Sequence, residues 1–322
     1  MQPRVSIALA TYNGEKYLSE QLDSFLHQSL LPDEIVVCDD ASSDGTLKIL
    51  EAFKQKAPFS VKIFRNDTNL GYVRNFEKAL TLCKGNVIFL SDQDDVWFHD
   101  KIEVLVNHLS ENLGCHLLHC DMQITNHQLI PSGFTQSDQL KWASAQENGC
   151  FGCATCIRRE FLKLALPFPS INLGHDGWLH SLAKTAGVRH FIKRPLQFYR
   201  RHGENHSNTA ASSSQRKSVF QGILAHGLAD VTLEWREAIN FIESNLQRLD
   251  QRGARIGAMG LTTRVAESRQ DALTEIELRQ QRINLMSKPR VLRTLRILRL
   301  WHVGGYQHFA GWKSVLKDMV RP

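Results

Sequence analysis

The acidic run Ser91-Asp92-Gln93-Asp94-Asp95 offers two carboxylates, Asp92 and Asp94, at i and i+2. In a loop that turns, this spacing lets both side chains approach one region, and their hard oxygens suit a hard divalent cation. Coordination positions would remain for a diphosphate and for water. Reading the same run as a calcium loop fails. Counted from Asp92, its fifth and sixth places fall on Val96 and Trp97, where an oxygen ligand and a glycine are required. A second acidic stretch is Asp39-Asp40-Ala41-Ser42-Ser43-Asp44-Gly45-Thr46. Asp44, just before a helical pattern that starts at Thr46, reads as a helix cap. One cap does not need three acids, so Asp40 is read as a binding residue. Two common phosphate devices are absent from the sequence: there is no Gly-x-Gly and no Gly-Lys-Ser/Thr loop. A site lacking glycine amides for phosphates needs another counter-charge, and a cation on Asp92 and Asp94 supplies it.

These residues need elements to hold them. Val5–Ala10, Glu34–Cys38, Val61–Arg65 and Val87–Leu90 are short apolar runs that read as buried strands. Between them, Glu15–Gln28, Thr46–Lys56 and Val73–Cys83 carry apolar residues at helical spacing. Strand and helix alternating through short connections predict a mostly parallel sheet flanked by helices, an α/β fold. In such sheets ligands gather at the carboxyl ends of the strands. The segments that follow the four strands are Thr11-Tyr12-Asn13-Gly14, the Asp39 stretch, Asn69-Leu70-Gly71-Tyr72 and the Asp92 run. All four are polar, which packing alone would not demand. A helix over Lys101–Asn112 and a strand over His116–Cys120 follow, then mixed short elements.

Taken in order, Ala10-Thr11-Tyr12-Asn13-Gly14, Asp39–Thr46, Asn69-Leu70-Gly71, Ser91–Trp97, His175-Asp176-Gly177-Trp178 and Tyr199-Arg200-Arg201-His202-Gly203-Glu204-Asn205 resemble the family-two glycosyltransferases of the GT-A fold. They are similar to its rhamnosyltransferase-like members, which build bacterial surface polysaccharides and lipopolysaccharide. The resemblance spans roughly the first two-thirds of the chain. It implies a Rossmann-like sheet, a nucleoside diphosphate sugar donor, a saccharide or lipid-linked acceptor, and Mg2+ or Mn2+ as cofactor. It places Thr11, Tyr12, Asn13, Asn69 and Gly71 in the nucleotide site, with Asp40 accepting a hydrogen bond from the base. Asp92 would touch both nucleotide and metal, Asp94 would be the direct metal ligand, and His202 would complete the metal or diphosphate contacts. Arg200 or Arg201 would steady the leaving diphosphate. Asp176 would be the general base, in the second place of the family's Glu-Asp pair; His175 departs from the first. Inversion at the anomeric carbon and a dTDP-rhamnose donor are further implications, and Asp121 to Ile171 would read sugar and acceptor. Two rivals are a sugar nucleotidyltransferase, which wants a glycine-rich basic loop after the first strand, and a non-catalytic sugar-nucleotide binder, which would not need Asp94 and Asp176.

The chain has 322 residues, enough for a catalytic domain over 1–208 and a helical C-terminal region over 209–322, joined at a Ser- and Ala-rich linker at 207–214. Val219–Met286 reads as helix with breaks at Gly253, Gly257 and Gly260. Composition is that of a globular protein, with 42% hydrophobic and 22% charged residues and a mean hydropathy of -0.29. From Lys288 onward there are eight basic residues and one acid, Asp318, so the net +6 resides in this tail. Arg290, Arg293, Arg296 and Arg299 form a basic stripe, with Leu292, Leu295, Ile297 and Leu298 as an apolar side. With Trp301, Tyr306 and Trp312, the segment suits an anionic membrane surface. Charge confined there, with no recognition module, argues against nucleic acid. No run reaches the ~20 apolar residues of a membrane span. Seven cysteines and no secretory signal predict a cytoplasmic protein with free thiols; Cys150, Cys153 and Cys156, despite their spacing, read as buried and inert.

Overall fold

The computed structural model describes residues 2–139, 151–170, 174–203, 205 and 231–321. The expected linker at 207–214, the 208/209 boundary, Cys150 and Glu204 lie outside the described residues, as does part of the stretch expected to read the acceptor. Two compact units emerge. One holds most described residues up to Asn205, and the other holds the helices from Val231 onward together with Lys184–Gly187.

Among the described residues of the first unit, nine strands form one sheet. Strands β1 (Val5–Thr11), β2 (Glu34–Asp39), β3 (Ser60–Arg65) and β4 (Val87–Ser91) pair in parallel in the order β3-β2-β1-β4. Ile7, Leu9, Ile35, Val37 and Phe89 are fully buried in the core. Burial on both faces is why β1, β2 and β4 read as continuous apolar runs; β3, expected to be buried, is an edge strand left half exposed. Helices α1 (Leu18–Leu26), α2 (Thr46–Lys56) and α3 (Tyr72–Leu82) connect them. The first is shorter than its apolar spacing predicts, because a turn in which the Tyr17 and Leu18 amides donate to the Gly14 carbonyl takes up the residues before Leu18.

Beyond β4 come the two-residue strand β5 (Val96–Trp97), helix α4 (Lys101–Glu111), and strands β6 (Leu117–Thr125), β7 (Pro131–Thr135), β8 (Thr155–Arg158) and β9 (Arg189–Arg200). Strand β8 inserts antiparallel between β4 and β6, and β9 runs parallel to β6. The sheet is thus mixed and not mostly parallel as expected: among the described residues β1 to β4 and the β6–β9 pair are parallel, while β5, β7 and β8 pair antiparallel, members that short irregular sequence runs do not announce. Helices α5 (Arg159–Ala165) and α6 (His175–Thr185) follow β8.

Register aligns the functional edge. Thr11 pairs with Asp39, and Leu9 pairs with Ser91, so the loops after β1, β2 and β4 leave the sheet side by side.

The second unit is helical: α7 (Thr232–Gln251), α8 (Gly253–Ala258), α9 (Thr262–Met286), α10 (Arg290–His302) and α11 (Trp312–Val320). Gly260 adopts φ +67°, a conformation that favours glycine, and ends α8 as expected. Gly257 instead lies within that helix. The tail's single acid, Asp318, is fully buried and accepts from Arg282 Nε at 2.8 Å, Tyr306 Oη at 2.8 Å and Arg321. The expected arginine stripe is broken. Arg293 is buried and donates to the Arg321 carbonyl at 3.2 Å, while Leu292 and Leu295 face solvent. Closing the α11 carboxyl end against α10 requires a donor there, so a charged residue takes the inner position.

Candidate active site

The loops after β1 and β2 are stitched together by side chains. Asn13 donates its amide to Ser42 Oγ at 2.9 Å and accepts the Ser43 amide at 2.9 Å on Oδ1. The Gly14 amide donates to Thr46 Oγ1 at 2.8 Å. Asp44 accepts the Thr46 amide at 3.0 Å from one residue before the N-cap position, which is Gly45 and not Asp44 as expected. Burial pushes the Asp44 carboxyl up, but the Thr46 hydroxyl and the amides of Thr46, Glu15 and Asp44 together outweigh it, and the net direction is below the usual carboxylate range.

Two residues expected in the nucleoside pocket serve the protein itself. Thr11, buried, gives its hydroxyl to Asp39 Oδ1 at 3.0 Å. Asp40, also buried, accepts Asn66 Nδ2 at 2.8 Å, the Leu70 amide at 2.8 Å and the Gly71 amide at 2.9 Å. Its carboxylate therefore shapes the loop before α3, where Asn69 Oδ1 also takes the Gly71 amide at 2.9 Å. Tyr12 stays open: its ring is 45% exposed, and its backbone is clamped on both sides by the Gln93 amide.

The acids after β4 meet the carboxyl end of β9. His202 Nε2 lies 2.8 Å from Asp94 Oδ2, and Asn205 Nδ2 donates to the same oxygen at 3.1 Å. Asp95, unassigned by its sequence position, is buried and accepts Gln197 Nε2 at 2.8 Å and the Arg200 amide at 3.1 Å. Gln197 in turn accepts from buried Lys101, which also donates to the Cys153 carbonyl at 2.8 Å and lies over the Trp97 ring. Arg200 is the third strut. Its guanidinium donates to the Asp94 carbonyl at 2.8 Å, the His127 carbonyl at 2.8 Å and Glu20 at 2.7 Å, and it stacks on Tyr17. With those partners and near-complete burial it positions the acidic loop, so of the two candidates for the diphosphate, Arg201 is the more accessible.

Asp176 lies in the first turn of α6, its Oδ1 accepting the Gly177 amide at 2.8 Å. The helix is anchored beside it. Trp178 Nε1 donates to the Ala165 carbonyl at 3.0 Å, and buried His175 stacks on Phe76 at 4.0 Å between centroids. Both His175 ring nitrogens lack a hydrogen-bond partner among the described residues, and burial holds the imidazole below its usual range although Asp176 pulls it up.

Asp92 shows how these acids act on one another. Burial first, and then the charges of Asp94, Asp95 and Asp176, push its carboxyl well above the usual range. Burial and Asp94 likewise push Asp95 up to about 7. The Asp176 charge also raises the Tyr72 phenol, after burial. Four carboxylates therefore share one field at the end of β4. Carboxylate and imidazole donors with excess negative charge fit a divalent cation, which would relieve that field. Asp39, Gln197, Lys101 and Asn205 complete the site. Asn205 and Asp39 stand in motifs that sequence could point to; Lys101 and Gln197 carry no sequence signal.

Residues 6–164 match the family model described as Glycosyl transferase family 2. The chain is 31% identical over 215 residues to the dTDP-rhamnosyl transferase RfbG of Shigella flexneri, covering 61% of this chain and 72% of that protein. It is 28% identical over 232 residues to an uncharacterized glycosyltransferase of Nostoc sp., covering 68% of this chain and 71% of that one. Among solved structures it is similar to S. aureus TarS 1-349 in complex with UDP-GlcNAc, with TM-score 0.55, 18% identity and coverage of 98% of this chain and 89% of that chain. A mannosyltransferase from Pyrobaculum calidifontis, solved with GDP-Man and Mn2+, gives TM-score 0.51 at 14% identity, covering 99% and 86%. A GT-A sheet with an acidic loop after its fourth strand defines the class, and the chain belongs to glycosyl transferase family 2. It is a glycosyltransferase.

Proposed function

We propose that this enzyme moves a sugar from a nucleoside diphosphate donor to a hydroxyl of a saccharide or lipid-linked acceptor, inverting the anomeric carbon and depending on Mg2+ or Mn2+. The observation that carries this reading is the Asp94–His202 pair, set in the field of Asp92, Asp95 and Asp176. Asp94, His202 and Asp92 would hold the cation. Bound there, it would act as a Lewis acid and offset charge growing on the leaving diphosphate.

The chain's own groups do the rest. Tyr12 offers an open aromatic face to the base. Asn13, Asn69, Gly71, Asp40 and Thr11 fix the loops around it, and Arg201 faces the diphosphate. Asp176 accepts the proton of the acceptor hydroxyl as its oxygen attacks the anomeric carbon and the bond to diphosphate breaks. The match to RfbG favours dTDP-rhamnose as donor. The catalytic part is taken as 1–208 and the helical region as 209–322. In α10, Leu295 and Trp301 are 70% and 51% exposed beside exposed Arg296 and Arg299, a face suited to an anionic membrane on the cytoplasmic side. No helix among the described residues is long and apolar enough to cross a membrane.

The test is release of nucleoside diphosphate from a panel of nucleotide sugars, with and without EDTA. Turnover on dTDP-rhamnose that EDTA abolishes is the expected result. Turnover unaffected by EDTA would remove the cation from this scheme, and turnover only on another sugar would remove rhamnose.

A further inference from the structure

At the other end of the sheet, two histidines and a cysteine converge. His108 lies in the last turn of α4, Cys115 in the connection to β6, and His190 near the start of β9, paired with Leu118. Strand β8 is antiparallel to both β4 and β6, and β9 is parallel to β6, so β6 and β9 run in the sense of β4. Their first residues are therefore at the edge away from Asp92 and Asp94, which follow the last residue of β4.

His108 Nε2 and His190 Nδ1 are 3.3 Å apart, with the rings at 76° to one another. One potential ligand atom from each of His108, Cys115 and His190 lies within 4.8 Å of the other two. Two imidazole nitrogens on a tetrahedral zinc, at bonds of about 2.0–2.1 Å, are about 3.3 Å apart. The observed separation equals that value.

We propose that His108, Cys115 and His190 form a zinc site separate from the donor site. Zn2+ takes neutral imidazole lone pairs and a thiolate; the Cys115 S–H bond breaks, the sulfur–zinc bond forms, and the proton leaves to solvent with no change of oxidation state. Both histidines are partly exposed, which leaves a fourth position for water. Nitrogen and sulfur donors select zinc over the hard Mg2+ or Mn2+ suited to the carboxylates after β4. The metal would tie the carboxyl end of α4 to the first residues of β6 and β9.

A plain hydrogen bond between the two imidazoles, with the Cys115 thiol donating to the Leu117 carbonyl at 3.5 Å, also gives this arrangement, so the test turns on whether all three side chains are needed to hold the metal. The test uses the full-length chain, stripped with chelator, reloaded with Zn2+ and freed of excess metal. One retained equivalent is expected, kept in Asp94→Ala and in Cys153→Ser. Loss of a direct ligand should weaken binding about 100-fold or more, beyond the 10–100-fold typical of an outer partner, so Cys115→Ser and His190→Ala should retain none. Replacing zinc by Co2+ should give a thiolate-to-cobalt charge-transfer absorption that persists in Cys153→Ser. That reading needs only a folded chain, should Cys115→Ser fold poorly. Absence of this absorption, or equal zinc in wild type and folded Cys115→Ser, would overturn the proposal.

Discussion

His202 Nε2 sits 2.8 Å from Asp94 Oδ2 although 108 residues separate them in sequence. Asn205 reaches the same carboxylate oxygen at 3.1 Å and His202 Nε2 at 3.1 Å, so three side chains share one small volume. That volume adjoins the acidic loop, and the first prediction concerns it. Asp94→Ala and His202→Ala should each lower kcat about 10²–10³-fold, the range found when one preorganised electrostatic contact to a transition state is removed. Steady-state kinetics at saturating donor and cation would measure it; a His202→Ala enzyme of normal kcat would exclude the imidazole from the site.

Asp176→Asn keeps the size and the hydrogen bond to Gly177 but cannot take a proton. A general base contributes about 10²–10⁴-fold, so kcat should fall by that order while donor affinity by calorimetry stays near wild type. Donor affinity falling together with kcat would instead mark Asp176 as part of donor binding.

Arg200→Ala should destabilise the fold by about 1–3 kcal/mol, because it removes a buried guanidinium and leaves the partly buried Asp94 and His127 carbonyls without their donor. Arg200→Lys should recover little of this, since an ammonium cannot span the same fork of acceptors. Thermal unfolding would read both, and equal melting temperatures for wild type and Arg200→Ala would refute the positioning role.

The crowded carboxylates predict a pH response in protein stripped of divalent cation. Asp95, raised from 3.8 to about 7, binds more protons folded than unfolded, so stability should fall as pH rises through that window. Added Mg2+ or Mn2+ should restore more stability at pH 7 than at pH 5. Asp92→Asn should raise the melting temperature of the cation-free chain while removing activity; a lowered one would show that the mutual repulsion is already compensated.

Glu34 predicts the opposite slope. Its buried carboxylate accepts from Ser6 and Lys62 at 2.7 Å each, and these donors with the Lys84 amide outweigh burial and hold it at about 2. A depressed value gives stability that is complete above the unfolded value of 4.5 and is lost as pH falls toward 2. Glu34→Gln should flatten the acid limb of the melting-temperature profile; an unchanged acid limb would assign the loss to other groups.

Much of this was readable in the chain itself. The apolar runs match β1 to β4 within a residue; β1, β2 and β4 are covered on both faces, whereas β3, expected to be buried, is a half-exposed edge strand marked by its Val61, Ile63 and Phe64. Thr46–Lys56 was legible end to end; its N-cap position is Gly45, and Asp44 just before it accepts the Thr46 amide. The acids at 92 and 94 and the His175-Asp176 pair were visible as motifs, since the chemistry of a carboxylate is carried by its type.

Tertiary structure decided which of these groups are free to act. Thr11 and Asp40 look identical in sequence whatever they bond, and register between β1 and β2 and the turn before α3 gave them Asp39 and the Leu70 amide as partners. Lys101, Gln197 and Asp95 meet across as many as 102 residues, and no periodicity encodes such a meeting. Local pattern sets an element and its buried face, because neighbours along the chain share one backbone geometry. Which side chains converge at a site depends on how separate elements stack, and that follows from the packing of the whole sheet.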